Sequence, residues 1–165
     1  MKNRLISFLR KWRHDSTGIK INCHWKATFQ NIVTGETRVS EFDNIVVTAG
    51  FNMIAKRLAG EANDCNLTYV AVGTDGTAPV VADTTLGTEL DRNLIVSVSA
   101  SGGVVYVTGF FGASEANGTL AEWALFGEAA TSAADSGTMF NHALFTETKT
   151  SSETLSIQIT VTIGS

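Results

Sequence analysis

The histidines, serines and carboxylates of this 165-residue chain could do chemistry, but their spacing matches no catalytic or metal-binding motif. The three histidines, His14, His24 and His142, fall on separate predicted elements and lack cysteine or acidic neighbours at the spacing of metal ligands. His24 lies on the outward side of a predicted strand, so we interpret it as a surface residue. No serine stands in the Gly-x-Ser-x-Gly turn of a nucleophile elbow. The sequence therefore predicts no enzyme, no metal site and no cofactor.

The glycine-rich turn GTDG at residues 73–76 could hold a phosphate or a calcium ion only with further residues that the chain lacks. A phosphate-binding loop requires a following Gly-Lys-Ser/Thr and a helix. A calcium-binding loop requires acids at alternating positions and a terminal glutamate. Further along, Glu89 and Asp91 stand beside Arg92, and we interpret this group as a solvated ion pair without a role in acid-base chemistry.

The composition indicates one β-rich domain whose charge is unevenly distributed. A chain of this length buries roughly 70% of its unfolded surface around one core, and its abundant glycine suits strands and tight turns. Five basic residues precede the first acid, Asp15, so the chain from residue 14 onward carries 7 basic and 16 acidic residues. Such an acidic body repels phosphates, which argues against a nucleic-acid partner.

The first 17 residues are predicted to form a basic amphipathic arm, followed by a β-sandwich-like domain over residues 18–165. The apolar residues of the arm recur at helical spacing, and Arg10 interrupts them too early for a secretory signal. The arm could pack on its own domain, on a partner subunit or on a membrane surface, and we favour an acidic partner. The candidate partner-binding residues are Lys2, Arg4, Leu5, Ile6, Leu9, Arg10, Lys11, Trp12 and Arg13.

Cys23 and Cys65 form neither a disulfide framework nor a metal-binding motif. We interpret both as small buried apolar residues, although adjacent strands would allow a bridge between them. No apolar run approaches the ~18 residues that a membrane-spanning helix requires.

Strict alternation predicts a half-buried strand over residues 18–29. A turn at Thr34–Gly35 leads to a second strand over residues 37–47, which bends at Asp43–Asn44. A helix should follow, with Thr48 as its N-cap and Gly60 closing it. The buried face of this helix is predicted from apolar spacing to contain Phe51, Ile54, Ala55 and Leu58.

The second half of the chain predicts further strands separated by polar turns. The strand over residues 67–72 should be buried on both faces, and so should a hairpin over residues 94–112. A strand at 120–126 precedes a polar loop, 127–138, which we expect to be mobile. A last hairpin should then pair residues 139–145 with the strictly alternating strand 155–163.

These patterns together predict a mainly β fold: a single β-sandwich-like domain of about eight strands with one short α-helix and an N-terminal amphipathic arm. We expect the largest inward-facing side chains to be buried in its core. They are Trp25, Phe51, Leu58, Tyr69, Trp123, Phe145, Ile157 and Ile159.

Three segments in this order resemble small virion structural proteins of tailed bacteriophages. The first is residues 66–92, a strand followed by GTDGTAP and DTTLGTE and ending at Arg92. The second, NIVVTAG leading into LAG, is carried by Asn44, Val46, Val47, Gly50, Leu58, Ala59 and Gly60. The third, EWALF followed by GTMFNHALF, KT and an alternating strand, is carried by Glu122, Trp123, Leu125, Phe126, Gly137, Met139, Asn141, Leu144, Phe145, Lys149 and Thr150.

The resemblance spans residues 44–163 and implies a structural subunit on the tail, baseplate or fibre side of a virion assembled in the host cytoplasm. Its partners would be other virion proteins and copies of itself in a homo-oligomer, with no nucleic acid and no membrane. Two alternatives stay open. One is a decoration protein of the capsid, and the other is a carbohydrate- or receptor-binding β-sandwich whose loops around Gly73 and Gly127 contact the ligand.

Overall fold

The computed structural model describes residues 19–61 and 65–164, so the predicted arm over residues 1–17 lies outside the described residues. The described residues form one helix, α1 (Thr48–Ala59), and ten strands. The strands are β1 (Lys20–Asn31), β2 (Thr37–Asp43), β3 (Ile45–Val46), β4 (Leu67–Gly73), β5 (Glu89–Leu94), β6 (Ser97–Ser101), β7 (Val104–Phe111), β8 (Gly118–Gly127), β9 (Thr138–Lys149) and β10 (Glu153–Gly164).

The strands build two antiparallel five-stranded sheets, which confirms the mainly β, sandwich-like fold. Sheet A has the order β2-β1-β10-β7-β6, and sheet B has the order β3-β9-β8-β4-β5. The chain passes from sheet A to sheet B near Asn44, and from sheet B to sheet A after Lys149. In the parts of the chain that the structure describes, no helix is long and apolar enough to cross a membrane.

Sheet A is centred on β10, which pairs with β1 on one side and β7 on the other. The register sets Trp25 opposite Ile159 and Phe29 opposite Leu155, and these four side chains are almost completely buried. Side chains of a strand point alternately to opposite faces. The alternation in both strands therefore predicts correctly which residues face sheet B.

Aromatic rings fill the space between the two sheets. Trp25 stacks on Phe42 with ring centroids 5.9 Å apart, and Phe42 stacks on Phe145 at 4.6 Å and tilts against Trp123 at 5.2 Å. The indole of Trp25 donates a hydrogen bond to the Asn44 side chain, and that of Trp123 donates to the Phe145 carbonyl. Each buried indole N–H thus has an acceptor, as burial requires.

One predicted strand pairing and one predicted burial are wrong. The predicted last hairpin does not form, because β9 pairs with β8 and β3 in sheet B while β10 lies in sheet A. The short polar connection between β9 and β10 crosses between the sheets and is not a hairpin turn. The prediction that the β6–β7 hairpin is covered on both faces also fails, since Tyr106 and Phe110 are 48% and 42% exposed.

The buried face of α1 also differs from the prediction. Gly50 and Met53 are its buried residues, whereas Phe51 is 47% and Leu58 84% exposed. The reason is the close approach of α1 to β9, where an added Cβ on Gly50 would lie 2.1 Å from the carbonyl oxygen of Phe140. This contact turns the glycine side of the helix toward the sheet.

The ends of α1 confirm one predicted cap and correct the other. Gly60 closes the helix in a left-handed conformation at φ 69°, as a C-terminal glycine does. The N-cap is Val47, without a side-chain capping bond, so Thr48 is already helical. The amide of Thr48 instead donates a hydrogen bond to the carbonyl of Val81.

Two further residues predicted to lie in the core, Tyr69 and Phe145, are only partly buried.

The contact of Gly50 with β9 makes a stability prediction. Gly50→Ala would force backbone atoms apart, so it should lower the free energy of unfolding by about 2 kcal/mol or more, despite the better helix propensity of alanine. Gly76→Ala is the matched control, since nothing lies within 4 Å of its added Cβ. The control should stay within about 0.5 kcal/mol of the parent in urea denaturation. Equal stabilities of the two variants would contradict this packing.

Candidate functional site

A group of four chemically capable side chains lies at the loop of residues 74–88, which joins β4 to β5. Glu122 of β8 and His142 of β9 meet Asp75 and Asp83 of the loop there, around a depression of about 400 Å³. We call this depression the Glu122 pocket. Strand β8 is buried on both faces for most of its length. Glu122 therefore faces a second layer, on the opposite side of β8 from the aromatic core.

The carboxylate of Glu122 is held by three backbone amides. Its Oε1 accepts hydrogen bonds from the amides of Asp75 at 2.9 Å and Thr88 at 3.0 Å, and its Oε2 accepts from the amide of Gly87 at 2.6 Å. The residue is 1% exposed. A buried carboxylate is stable only when such partners replace its lost hydration. Glu122 thus joins the two ends of the loop to the middle of sheet B.

Gly73 lets the carboxylate come this close to the chain. A Cβ added at Gly73 would lie 2.5 Å from Glu122 Oε1 and 2.6 Å from the carbonyl oxygen of Thr88. The glycine that ends β4 in the GTDG turn is therefore required by packing around Glu122.

His142 lies between two carboxylates and is 5% exposed. Its Nδ1 is 2.8 Å from Asp83 Oδ2, and its Nε2 is 3.3 Å from Glu122 Oε2. Asp83 Oδ2 also accepts a hydrogen bond from the amide of Val80. At the outer end of the pocket, the hydroxyl and the amide of Thr77 donate hydrogen bonds to Asp75, and these bonds hold the pKa of Asp75 below its ordinary value.

The Glu122 pocket is built to hold its loop in place. Both oxygens of Glu122 already have amide partners, and the loop carboxylates bind their own backbone. Among residues 19–61 and 65–164, no group of three or more His, Cys, Asp or Glu side chains is placed to hold a metal ion. The four side chains therefore fasten the loop to sheet B. Nε2 of His142 lies 3.3 Å from Glu122 Oε2 but is buried without a hydrogen-bond partner.

Arg92 and Glu89 form a second buried charged pair, which corrects the prediction of a solvated one. Their side chains are 2% and 3% exposed, and Arg92 Nε lies 2.5 Å from Glu89 Oε1. Arg92 Nη1 also donates to the carbonyls of Thr131 and Ser136, and the guanidinium lies 4.5 Å from the Phe126 ring centroid. Arg92 thereby ties the loop of residues 127–138, expected to be mobile, onto sheet B.

Lys149 fastens a third loop, residues 112–117, and is 1% exposed. Its Nζ donates to the carbonyls of Gly112 at 2.9 Å and Glu115 at 2.7 Å, and to Asn117 Oδ1 at 3.1 Å. Burial lowers the pKa of this ammonium group below its ordinary value. The three loops thus depend on one carboxylate, one guanidinium and one ammonium group. Backbone atoms satisfy most of the hydrogen bonds of Glu122 and Lys149, whereas Arg92 is shared between the Glu89 carboxylate and the loop carbonyls.

The remaining candidate residues have ordinary surroundings. His24 is a surface residue as predicted, 2.9 Å from Asp43. Cys23 is buried, and burial raises the pKa of its thiol to about 11. Cys65 is only partly buried and donates to Glu128, and neither cysteine is in a disulfide. The nine predicted partner-binding residues of the arm lie outside the described residues.

The sequence analysis did not predict that Glu122 and His142 lie close to each other and contact the 74–88 loop. Within EWALF, alternation places Glu122 and Trp123 on opposite faces of the strand, and the glutamate face looks like a solvated one. It is covered because the 74–88 loop folds back over sheet B, packing Leu86 with Ala124 and Phe126. Gly73, directly before this loop, and Gly87 within it were the signal in the sequence, because an added Cβ at either would meet Glu122 or Asp75.

Comparison with protein-family models, with curated proteins and with solved structures found no match to this chain.

The amide contacts of Glu122 predict a large effect of a small substitution. Glu122→Gln removes the charge and turns an amide donor toward backbone N–H groups, so it should lower the free energy of unfolding by about 2 to 4 kcal/mol. Hydrogen exchange at the amides of Asp75, Gly87 and Thr88 should accelerate together. Both can be measured by urea denaturation and by exchange followed with NMR.

Glu41→Gln is the matched control, because the Glu41 side chain is 54% exposed and lies 3.7 Å from His24. Exposed pairs of this kind contribute about 1 kcal/mol at most. If both variants lost the same stability, Glu122 would not be fastening the loop.

Proposed function

We propose that this protein is a structural subunit on the tail, baseplate or fibre side of a tailed-phage virion, and that it acts through repeated contacts between subunits. The observation that carries the proposal is an exposed apolar patch beside an open sheet edge, formed by Leu94, Val96 and Phe110. These side chains are 64%, 65% and 42% exposed and line one surface depression of about 370 Å³.

The position of the patch suits contacts between copies of the chain. Leu94 ends β5 and Val96 precedes β6, and these are the edge strands of sheets B and A. Every residue of β6 is exposed. An edge strand offers unpaired backbone groups to another chain, and exposed apolar patches rimmed by polar residues mark protein interaction sites. We therefore assign a neighbouring copy to this surface.

The way the chain uses its charged groups also supports an architectural role. The Glu122 pocket, the Arg92–Glu89 pair and Lys149 each hold a loop against the sheets. A subunit that works through its surfaces needs loops of fixed shape, because ordering a loop on binding costs affinity.

The phage-like segments lie mainly in sheet B. They supply β3, α1 and β4, the 74–88 loop with the start of β5, and strands β8 and β9, and they end with the alternating strand β10 of sheet A. The resemblance therefore concerns sheet B with its helix and its fastened loop, together with the central strand of sheet A.

Copy number tests the proposed place in the virion. The chain should be found by quantitative mass spectrometry in purified particles, at a few copies each for a baseplate or fibre subunit. Hundreds of copies would instead fit a tail repeat or a capsid decoration protein, which labelling of heads and tails separated from each other would tell apart. Absence from particles would refute the virion role.

The patch itself makes a further prediction. Val96→Asp should reduce incorporation into particles at least tenfold, since burying a charge at an apolar contact costs more than about 1.4 kcal/mol, while leaving the thermal midpoint of the isolated chain unchanged. Val33→Asp is the control, because Val33 is 84% exposed in the turn after β1. Equal incorporation of the two variants would remove the patch from the interface.

A further inference from the structure

An apolar groove of about 520 Å³ lies open between α1 and the inner face of sheet A. Its walls include Met53 and Leu58 of α1, Val98 of β6, and Val161 and Ile163 of β10. Leu58, Val98 and Ile163 are 84%, 48% and 39% exposed. The groove continues the apolar core to the surface at this end of the sandwich, because Met53 and Val161 belong to that core.

The described chain begins at the edge of this groove. Lys20 pairs with Gly164 and Ile21 with Ile163, and Ile163 is one of the residues that line the groove. The segment before Ile19 therefore starts beside the groove. Residues 13–18 can span at most about 20 Å when extended, so Trp12 and the residues before it have the reach to enter it.

The sequence of that segment supplies apolar side chains of the kind that would fill the groove. Leu5, Ile6, Leu9 and Trp12 form one apolar stripe at helical spacing, and a helix this short is marginal in water unless it packs on something. An apolar cavity of about 150 Å³ holds one benzene molecule, so the groove has room for roughly three side chains of that size. We propose that residues 5–12 bind in this groove of their own chain as an amphipathic helix.

The tether selects the chain's own segment as the occupant. A short linker gives the segment a local concentration in the millimolar range, far above that of a second copy in dilute solution. The contact is apolar, and the charged residue that lines the groove, Arg57, is basic like the arm. Binding of the arm in the groove therefore does not rely on opposite charges and should depend little on salt. Binding of the arm to an acidic partner would instead weaken as the salt concentration rises. The inference concerns the single chain and does not depend on the virion role.

A coupling experiment tests the groove. Leu58→Gln removes an apolar wall residue that the described chain leaves exposed, so it should matter only if the segment covers it. In the full chain it should lower the thermal midpoint by on the order of 5 °C. In a chain lacking residues 1–17 it should change the midpoint by about 1 °C or less. Val33→Gln is equally exposed at 84% and should have no effect in either background.

Fluorescence of the full chain gives a second readout that needs no deletion. Trp25 and Trp123 are completely buried, so emission quenched by acrylamide should come from Trp12, the third tryptophan of the sequence. A Trp12→Phe variant verifies this assignment. Trp12 should be shielded in the parent, exposed in Leu58→Gln and shielded in Val33→Gln. Shielding should persist from about 0.05 M to about 1 M salt and at every chain concentration.

Four kinds of result would overturn the proposal. The first is a parent chain whose Trp12 is quenched like free tryptophan. The second is an equal effect of Leu58→Gln with and without residues 1–17. The third is shielding that appears only with rising concentration and dimer formation, which would make a second copy the occupant. The fourth is shielding that salt abolishes or that requires another protein, which would restore the acidic partner.

Discussion

Sheet A depends on the pairing of the last strand with the first. Without β10, the strands β2-β1 and β7-β6 would be two separate pairs with no common neighbour. The apolar residues of β10 face the aromatic core from the centre of the sheet, and Ile157 and Ile159 are almost completely buried. Contacts between such distant parts of a chain form late and slowly. The same pairing brings the start of the described chain to the end of β10, beside the apolar groove.

The buried charged side chains of the described residues hold loops against the sheets. Glu122, Arg92 and Lys149 are each buried, and each forms hydrogen bonds with backbone groups of one loop. A buried charge without partners would cost several kcal/mol, so each loop is held in the one conformation that supplies them. These three charged side chains hold loops in fixed conformations, and this is the physical basis for proposing an architectural role.

Two exposed apolar regions among the described residues differ in position. The patch around Val96 lies at the edge strands of the two sheets and suits another subunit that approaches from outside. The groove beside Leu58 lies between the helix and a sheet, within reach of the chain's own first residues. This difference in position and in reach leads to different occupants.

The sequence alone determined the strands whose two faces differ, because alternation in β1 and β10 follows directly from the pleat of a strand. It also determined the C-terminal end of α1, since Gly60 takes a left-handed conformation that other residues avoid. Only the tertiary structure decided which sheet each strand joins, because β9 and β10 look like a hairpin until their separate partners are known. It likewise decided that Glu122 and Arg92 are buried, since local pattern does not contain the loops that cover them.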